Sequence, residues 1–319
     1  FGSIQTTRGC PLDCSFCSVS ALNGKRYRQR PVENVVAEFR TIREKLVLVV
    51  DDNLIGTNSR HVARAKDLFR AMIHAKLRKE WVCQATINMA DDDELLALAT
   101  KAGCRGVFIG FESPTDEGLV EVGKRFNILK GRDFRVSVRR LQRHGIMVVG
   151  SFIMGLDADQ RGIGRRIADA AEHYGVDLLN VLFLTPLPGT RVWEQMKSQG
   201  RIAANSFPED WKYFTLTFPV ARYKHMSWAR LLREMDACNR RFYSLPRVLR
   251  RIWRNARRKR GLVLATVSNL SFRLNVRADR KLYKKADVSR GRAMGTYVGE
   301  RPSRWQAASA QEELVVPGT

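Results

Sequence analysis

The chain has 319 residues, of which 44% are hydrophobic and 28% charged. That suits one large domain with an appendage and excludes a collagen, a coiled coil or a wholly disordered chain. It holds no run of roughly 18 apolar residues, so no transmembrane helix is expected. The 56 basic and 32 acidic side chains leave a net charge of +24, and residues 239–292 alone hold 18 Lys and Arg against 2 acids. So basic a segment favours an anionic partner, nucleic acid or a membrane face; a solvated basic surface is the alternative.

In chain order, strand patterns fall at 2–7, 46–50, 81–87, 106–111, 146–154 and 177–184. Helical stripes alternate with them. Val35, Val36, Phe39 and Ile42 share one face, as do Val62, Ala65, Phe69, Met72 and Ile73. Leu95, Leu98, Ala99 and Ala102 form a third stripe, with Asp91 or Asp92 placed to cap it and Gly103 just past its end; a longer pattern runs through 130–144. Six strand–helix repeats predict an α/β fold, a partial (β/α)6 TIM-like barrel over residues 1–200. After Gly200 the rhythm stops. Residues 205–235 read as a loop-rich segment leading into a helix, and 244–260 as a basic amphipathic helix. Leu245, Leu249, Ile252, Trp253 and Ala256 lie on one side of it, with Arg247, Arg250, Arg251, Arg254, Arg257 and Arg258 largely on the other. A mainly helical, strongly basic extension is therefore expected over 201–285, and a disordered polar tail over 286–319.

Cys10, Cys14 and Cys17 form a Cys-x3-Cys-x2-Cys array on the loop after the first strand. Thiolates so closely spaced normally hold a metal. Structural zinc wants four ligands, and no further Cys or His stands nearby. An iron–sulfur cluster also usually takes four thiolates, but three suffice for a [4Fe–4S] cluster whose last iron binds something else. The spacing favours that reading over a zinc knuckle or a chance grouping. Cys83 and Cys104 read as core residues and Cys238 as isolated on a helix; His61, His74, His144, His173 and His225 share no ligand spacing. Sparse cysteines and the lack of a signal peptide point to a reducing compartment, the cytoplasm. The start at Phe1, straight into a strand, suggests a preceding segment.

The triplet, with Phe16 just before its third cysteine, closely resembles the radical S-adenosylmethionine (SAM) superfamily, and the resemblance covers roughly residues 1–200. It implies that the open iron is chelated by the amino and carboxylate groups of SAM, and that an electron from the cluster splits the sulfonium to release a 5′-deoxyadenosyl radical. The reductant would be a flavodoxin or ferredoxin. It implies site residues at the strand ends as well. Asp51, Asp52 and Asn53 would accept from the SAM ammonium, and Gln84 is positioned to face the barrel interior. Glu112 and Ser113 resemble groups that bind the ribose or the methionine moiety. Gly150, Phe152 and Ile153 resemble an adenine-binding stretch, followed by an acid at Asp157, and Thr185 opens the family's adenine-contacting turn. Singly, each also reads as turn punctuation or a solvated loop acid.

The runs DDNLIG, INMADDDELLALATKAG, GVFIGFESP and LTPLPGT resemble the branch usually fused to an upstream cobalamin-binding domain, which includes methyltransferases and enzymes of hopanoid and tetrapyrrole synthesis. That domain's Asp-x-His-x-x-Gly signature is absent here, so cobalamin would come only through a missing or separate domain. The expected function is reductive cleavage of SAM to start radical chemistry, such as C-methylation of a lipid-like or small-molecule substrate. The basic helix would contact an anionic membrane, placing the protein peripherally at the inner membrane face, or nucleic acid. The alternative is a non-catalytic iron–sulfur or zinc protein with a nucleic-acid-binding tail.

Overall fold

The computed structural model describes residues 1–24, 26–128, 131–204, 206, 208–257 and 262–285. After strand β1 (Gly2–Ile4) the chain leaves the sheet. Strand β2 (Thr7–Arg8) pairs antiparallel with β3 (Arg28–Gln29), and helix α1 (Ser18–Asn23) lies between them. Strands β4 (Leu46–Val49), β5 (Glu80–Gln84), β6 (Cys104–Glu112), β7 (Met147–Met154) and β8 (Leu178–Phe183) follow. They join β1 in one six-stranded parallel sheet in the order β1-β4-β5-β6-β7-β8. Neighbours in sequence are neighbours in space, as right-handed strand–helix–strand units require.

Four of the helices behind the sheet begin where the chain supplies a side-chain oxygen. Asn58 accepts from the His61 amide at 2.9 Å and starts α3 (Ser59–His74); Asp92 accepts from the Leu95 amide at 2.9 Å and starts α4 (Asp93–Lys101). Asp133 caps α6 (Phe134–Arg143) and Thr190 caps α8 (Arg191–Ser198) in the same way. Gly103 closes α4 at φ 107°, where an added Cβ would stand 2.0 Å from the Lys79 carbonyl oxygen. The stripes read from sequence face the sheet: Val35, Val36 and Phe39 on α2 (Val32–Thr41), Ala65, Phe69 and Met72 on α3, and Leu95 and Ala99 on α4 are buried.

Two strands end three residues earlier than expected. The pattern at 2–7 breaks after Ile4, because the Thr6 amide and hydroxyl both donate to Asp51, at 2.5 and 2.6 Å, rather than to a strand. The pattern at 81–87 ends at Gln84, since the Thr86 hydroxyl turns to Gly56 and Asn53 and a 3-10 turn follows at Ile87–Asp91.

Beyond the sheet lie α9 (Trp228–Phe242), α10 (Leu245–Arg257) and α11 (Leu262–Lys285). Helix α9 packs on α7 (Ile163–Tyr174) at Gly164, where an added Cβ would sit 2.0 Å from the Glu234 carbonyl oxygen. Helix α10 docks by a face of mixed polarity: Val248, Arg251 and Asn255 are buried and Ile252 is packed against the core, while Leu245, Leu249 and Trp253 are exposed. The reason is a set of buried acceptors. Arg251 reaches Glu172 at 3.2 Å, Arg254 the Gly175 carbonyl at 3.0 Å, and Asn255 the Asp177 carboxylate at 3.1 Å. Residues 258–261 and 286–319, the latter expected to be a disordered tail, lie outside the described residues. No described helix is long and apolar enough to cross a membrane.

Replacing Gly164 with Ala forces α7 and α9 apart and should lower stability by about 2 kcal/mol, read as a shifted midpoint in urea denaturation. A pH dependence follows from Asp159. Its carboxylate accepts from the Gly155 and Leu156 amides at 2.8 and 3.0 Å, and burial pushes its pKa up to about 7 despite those bonds. Between its ordinary value of 3.8 and about 7 the folded chain holds a proton that the unfolded chain has released. Stability should therefore fall as pH rises through that window, and Asp159→Asn should remove that part of the slope.

Candidate active site

A parallel sheet brings every strand's carboxyl end to one edge, so loops far apart in sequence meet there. The cysteine loop is fastened to that edge on several sides. Asp51, buried at the end of β4, holds Thr6; its neighbour Asp52 accepts from the Gly9 amide at 2.9 Å. Gly9 has φ 88°, and a Cβ there would meet the Arg26 carbonyl oxygen at 2.4 Å. Further along, Ser15 donates its amide to Val122 at 3.0 Å and accepts from the Val192 amide at 3.1 Å. Arg191 grips both the Asp13 carbonyl and its carboxylate at 2.6 Å.

Cys10, Cys14 and Cys17 line one cavity of about 310 Å³. Asp52 and Asn53 line it too, with Gln84 from β5, Glu112 from β6, Ile153 from β7, Thr185 after β8, and Phe16 from the cysteine loop. The Asn53 carboxamide nitrogen lies 3.8 Å from the Cys10 Sγ and 3.3 Å from the Thr86 hydroxyl, and its oxygen accepts from the Gly56 amide at 3.2 Å. Tyr27 donates its hydroxyl to the Asn53 and Leu54 carbonyls at 2.8 and 2.9 Å, fixing that turn.

The cavity wall carries a charge pair that no motif announced. Lys124 Nζ stands 2.5 Å from Glu112 Oε1, and both side chains are less than a tenth exposed. Burial works against the Lys124 ammonium, but Glu112 and the thiols of Cys14 and Cys10 outweigh it and hold its pKa above the ordinary value. Burial pushes the Cys14 thiol up to about 12, with Lys124 pulling it down and Glu112 and the other two cysteines pushing it further up; burial raises Cys17 as well. Glu112 itself has left-handed backbone, φ 65°, where the β6–β7 register shifts between Gly110 and Glu112. That bulge re-aims its carboxylate into the cavity. Gly110 leaves the room: a Cβ there would lie 2.1 Å from Glu112 Oε1 and 2.6 Å from Lys124 Nζ.

The donor set fits an iron–sulfur cluster. Among the described residues no three Cys, His, Asp or Glu converge on a point that one ion could occupy, as tetrahedral zinc would need. A cubane makes no such demand, because each thiolate takes a separate iron. The lining holds three cysteines and no histidine, which leaves a corner for another ligand.

Other residues named from sequence stand outside this lining, and the strand pleat is the reason. Ser151 and Ile153 face the cavity, so Gly150 and Phe152 face away. Phe152 is fully buried and stacks on Phe111 at 5.6 Å, and a Cβ at Gly150 would meet Val176 and Phe111. Asp51 is committed to Thr6. Ser113 accepts from the Thr115 amide at 3.2 Å, at the start of α5 (Asp116–Glu121). Asp157 gives both carboxylate oxygens to the buried Arg201, at 2.9 and 2.5 Å. Sequence reasoning missed Lys124, Thr86, Ser151 and Phe108 in the lining. The period-2 pattern could have found Ser151 from Ile153 and Phe108 from Gly110; Lys124, on the turn after α5, carries no such signal. Cys83, Cys104 and Cys238 are buried away from the cavity.

Residues 4–161 match the sequence model of the Radical SAM superfamily. An uncharacterized methyltransferase of Pyrococcus horikoshii is 27% identical over 249 residues, 78% of this chain and 52% of that protein. The hopanoid C-2 methylase of Rhodopseudomonas palustris is 29% identical over 299 residues, 88% of this chain and 55% of that one. The chain thus spans about half the length of these relatives. Among solved structures, the radical S-adenosylmethionine methyltransferase TsrM from Kitasatospora setae, with cobalamin and a [4Fe–4S] cluster bound, superposes with a TM-score of 0.54 at 23% identity. It covers 63% of this chain and 37% of its own, and the likeness is one of fold.

Lys124→Met strands the Glu112 carboxylate in the wall and should cost about 3 kcal/mol, measured by chemical denaturation. Adding Glu112→Gln should recover most of that loss. A double variant as unstable as the single one would mean that the two charges are not coupled.

Proposed function

The chain carries a radical SAM superfamily domain, and from that premise we propose that it binds a [4Fe–4S] cluster on Cys10, Cys14 and Cys17, binds SAM in the cavity beyond them, and methylates or otherwise modifies an apolar small molecule. One observation carries the reading: three thiols from a single loop and polar groups from separate strand ends line the same cavity. When bound, the cluster would supply the electron that splits the sulfonium of SAM.

The residues divide the remaining work by chemistry. Asp52 and Gln84 offer acceptor oxygens suited to the SAM ammonium. Lys124 is the cation of the described lining, held toward the thiols by Glu112, and suits the SAM carboxylate. Phe108, Ile153, Leu182 and Leu184 give an apolar wall that suits the adenine ring and excludes water. Thr185, whose hydroxyl donates to the Phe183 carbonyl at 3.1 Å, shapes the turn beside them.

The name of the hopanoid methylase relative supports a lipid-like substrate. Cobalamin enters this reading only through a domain outside this chain or through another chain, and the electron donor through a flavodoxin or ferredoxin. We place the protein in the cytoplasm at the inner membrane face, with its basic C-terminal helices toward an anionic partner.

Anaerobic reconstitution with iron and sulfide should give a brown protein with about four irons per chain. Adding SAM and a chemical reductant should yield 5′-deoxyadenosine, or S-adenosylhomocysteine once a methyl acceptor is present. Cys14→Ala should lose both colour and product. Stoichiometric zinc with no product from SAM would establish the non-catalytic alternative instead.

A further inference from the structure

Docking α10 through Val248, Arg251, Ile252 and Asn255 leaves three of its large apolar residues facing out. Leu245, Leu249 and Trp253, four residues apart, are 52%, 55% and 56% exposed. On the adjoining α11, Val267, Leu270 and Leu274 are 60%, 45% and 59% exposed. The two helices are joined through a bond of 3.1 Å from Arg251 to Asn269, so both rows belong to one helical layer. Helices in a globular protein ordinarily turn such residues inward, and two exposed apolar rows on adjoining helices mark an interaction site.

The charge around the rows narrows the occupant. Exposed Arg250 lies on α10 beside Leu249, exposed Lys281 lies on α11, and Arg240 and Arg241 stand exposed at the end of α9. They sit within a segment carrying 18 Lys and Arg against 2 acids. A second copy of the chain would set two such segments against each other, which like-charge repulsion opposes. Nucleic acid would satisfy the arginines but gives the leucines no apolar depth to enter. A bilayer with anionic headgroups satisfies both at once.

We infer that the outer face of α10 and α11 rests on an anionic lipid bilayer. Leu245, Leu249, Trp253, Val267, Leu270 and Leu274 enter the headgroup boundary, and Arg250 and its basic neighbours meet the lipid phosphates. Trp253 suits that depth, having an apolar ring with a polar N–H. The inference stands apart from the SAM reading, because it concerns a surface that the cavity does not include.

The test is flotation of the 319-residue chain, without SAM or reductant, on vesicles of phosphatidylcholine with and without phosphatidylglycerol. The protein should float with the anionic vesicles and stay behind with the neutral ones. Leu249→Asp with Trp253→Asp should weaken binding roughly tenfold or more while circular dichroism and Tm stay as in wild type, since both side chains are already half in water. Arg250→Glu, a milder change, should weaken it in the same direction. Absence of flotation overturns the inference, and so does flotation that the double variant leaves unchanged. A dimer or a tRNA complex that the double variant abolishes, with no vesicle binding, also overturns it.

Discussion

The site is organised around two adjacent carboxylates at the end of β4. Asp51 is wholly buried, and its two oxygens collect the amide and the hydroxyl of Thr6 from the bend after β1. Asp52, one residue on, points the other way, into the cavity, and takes the Gly9 amide. A buried carboxylate without donors would cost several kcal/mol, so these bonds fix where β1 must stop and the cysteine loop begin. The three thiols then stand over the sheet edge, where the Cys10 Sγ also accepts from the Asn53 carboxamide at 3.8 Å. Burial raises the pKa of Asp51 in spite of the bonds from Thr6 and Thr7, the mark of an anion enclosed for geometry rather than for reactivity.

The opposite wall is governed by a second enclosed charge, the Glu112–Lys124 pair. A left-handed backbone at a residue other than glycine is unfavourable, and it persists here because the strand leading into it is paired and Glu112 itself still pairs with Phe152. The same bulge turns a carboxylate out of the end of a strand whose residues after Arg105 are otherwise apolar. Gly110 completes the arrangement by having no side chain where the two charged groups meet.

Helices α10 and α11 close the β8 side of the sheet by polar contacts. Asp177, buried just before β8, accepts from the Val148 amide and the Gln142 carboxamide with one oxygen and from Asn255 with the other, while its carbonyl takes Asn269. Arg251 lies with its guanidinium 3.9 Å from the centre of the Phe242 ring and bonds Glu172 and Asn269. Burial lowers its pKa, with Glu172 working the other way. Satisfying these groups decides which side of α10 turns in, and its leucines and tryptophan are left on the surface as the consequence.

The sequence by itself determined the six strand–helix repeats, the helix start at Asp91 or Asp92, the thiol triplet and the concentration of positive charge. Each of these is written in neighbouring residues: alternation, capping and spacing are local matters. What only the tertiary structure decided is which of the strand-end residues share a cavity. Asp51 and Asp52 read alike in sequence, and so do Phe152 and Ile153, yet the turn after β4 and the pleat of β7 send one of each pair to the cavity and the other into the packing. Lys124 reached the wall through a contact that no pattern encodes. The orientation of α10 was likewise beyond reading, because a stripe of leucines says which residues share a face, whereas Glu172 of distant α7 and the buried Asp177 say which face goes in.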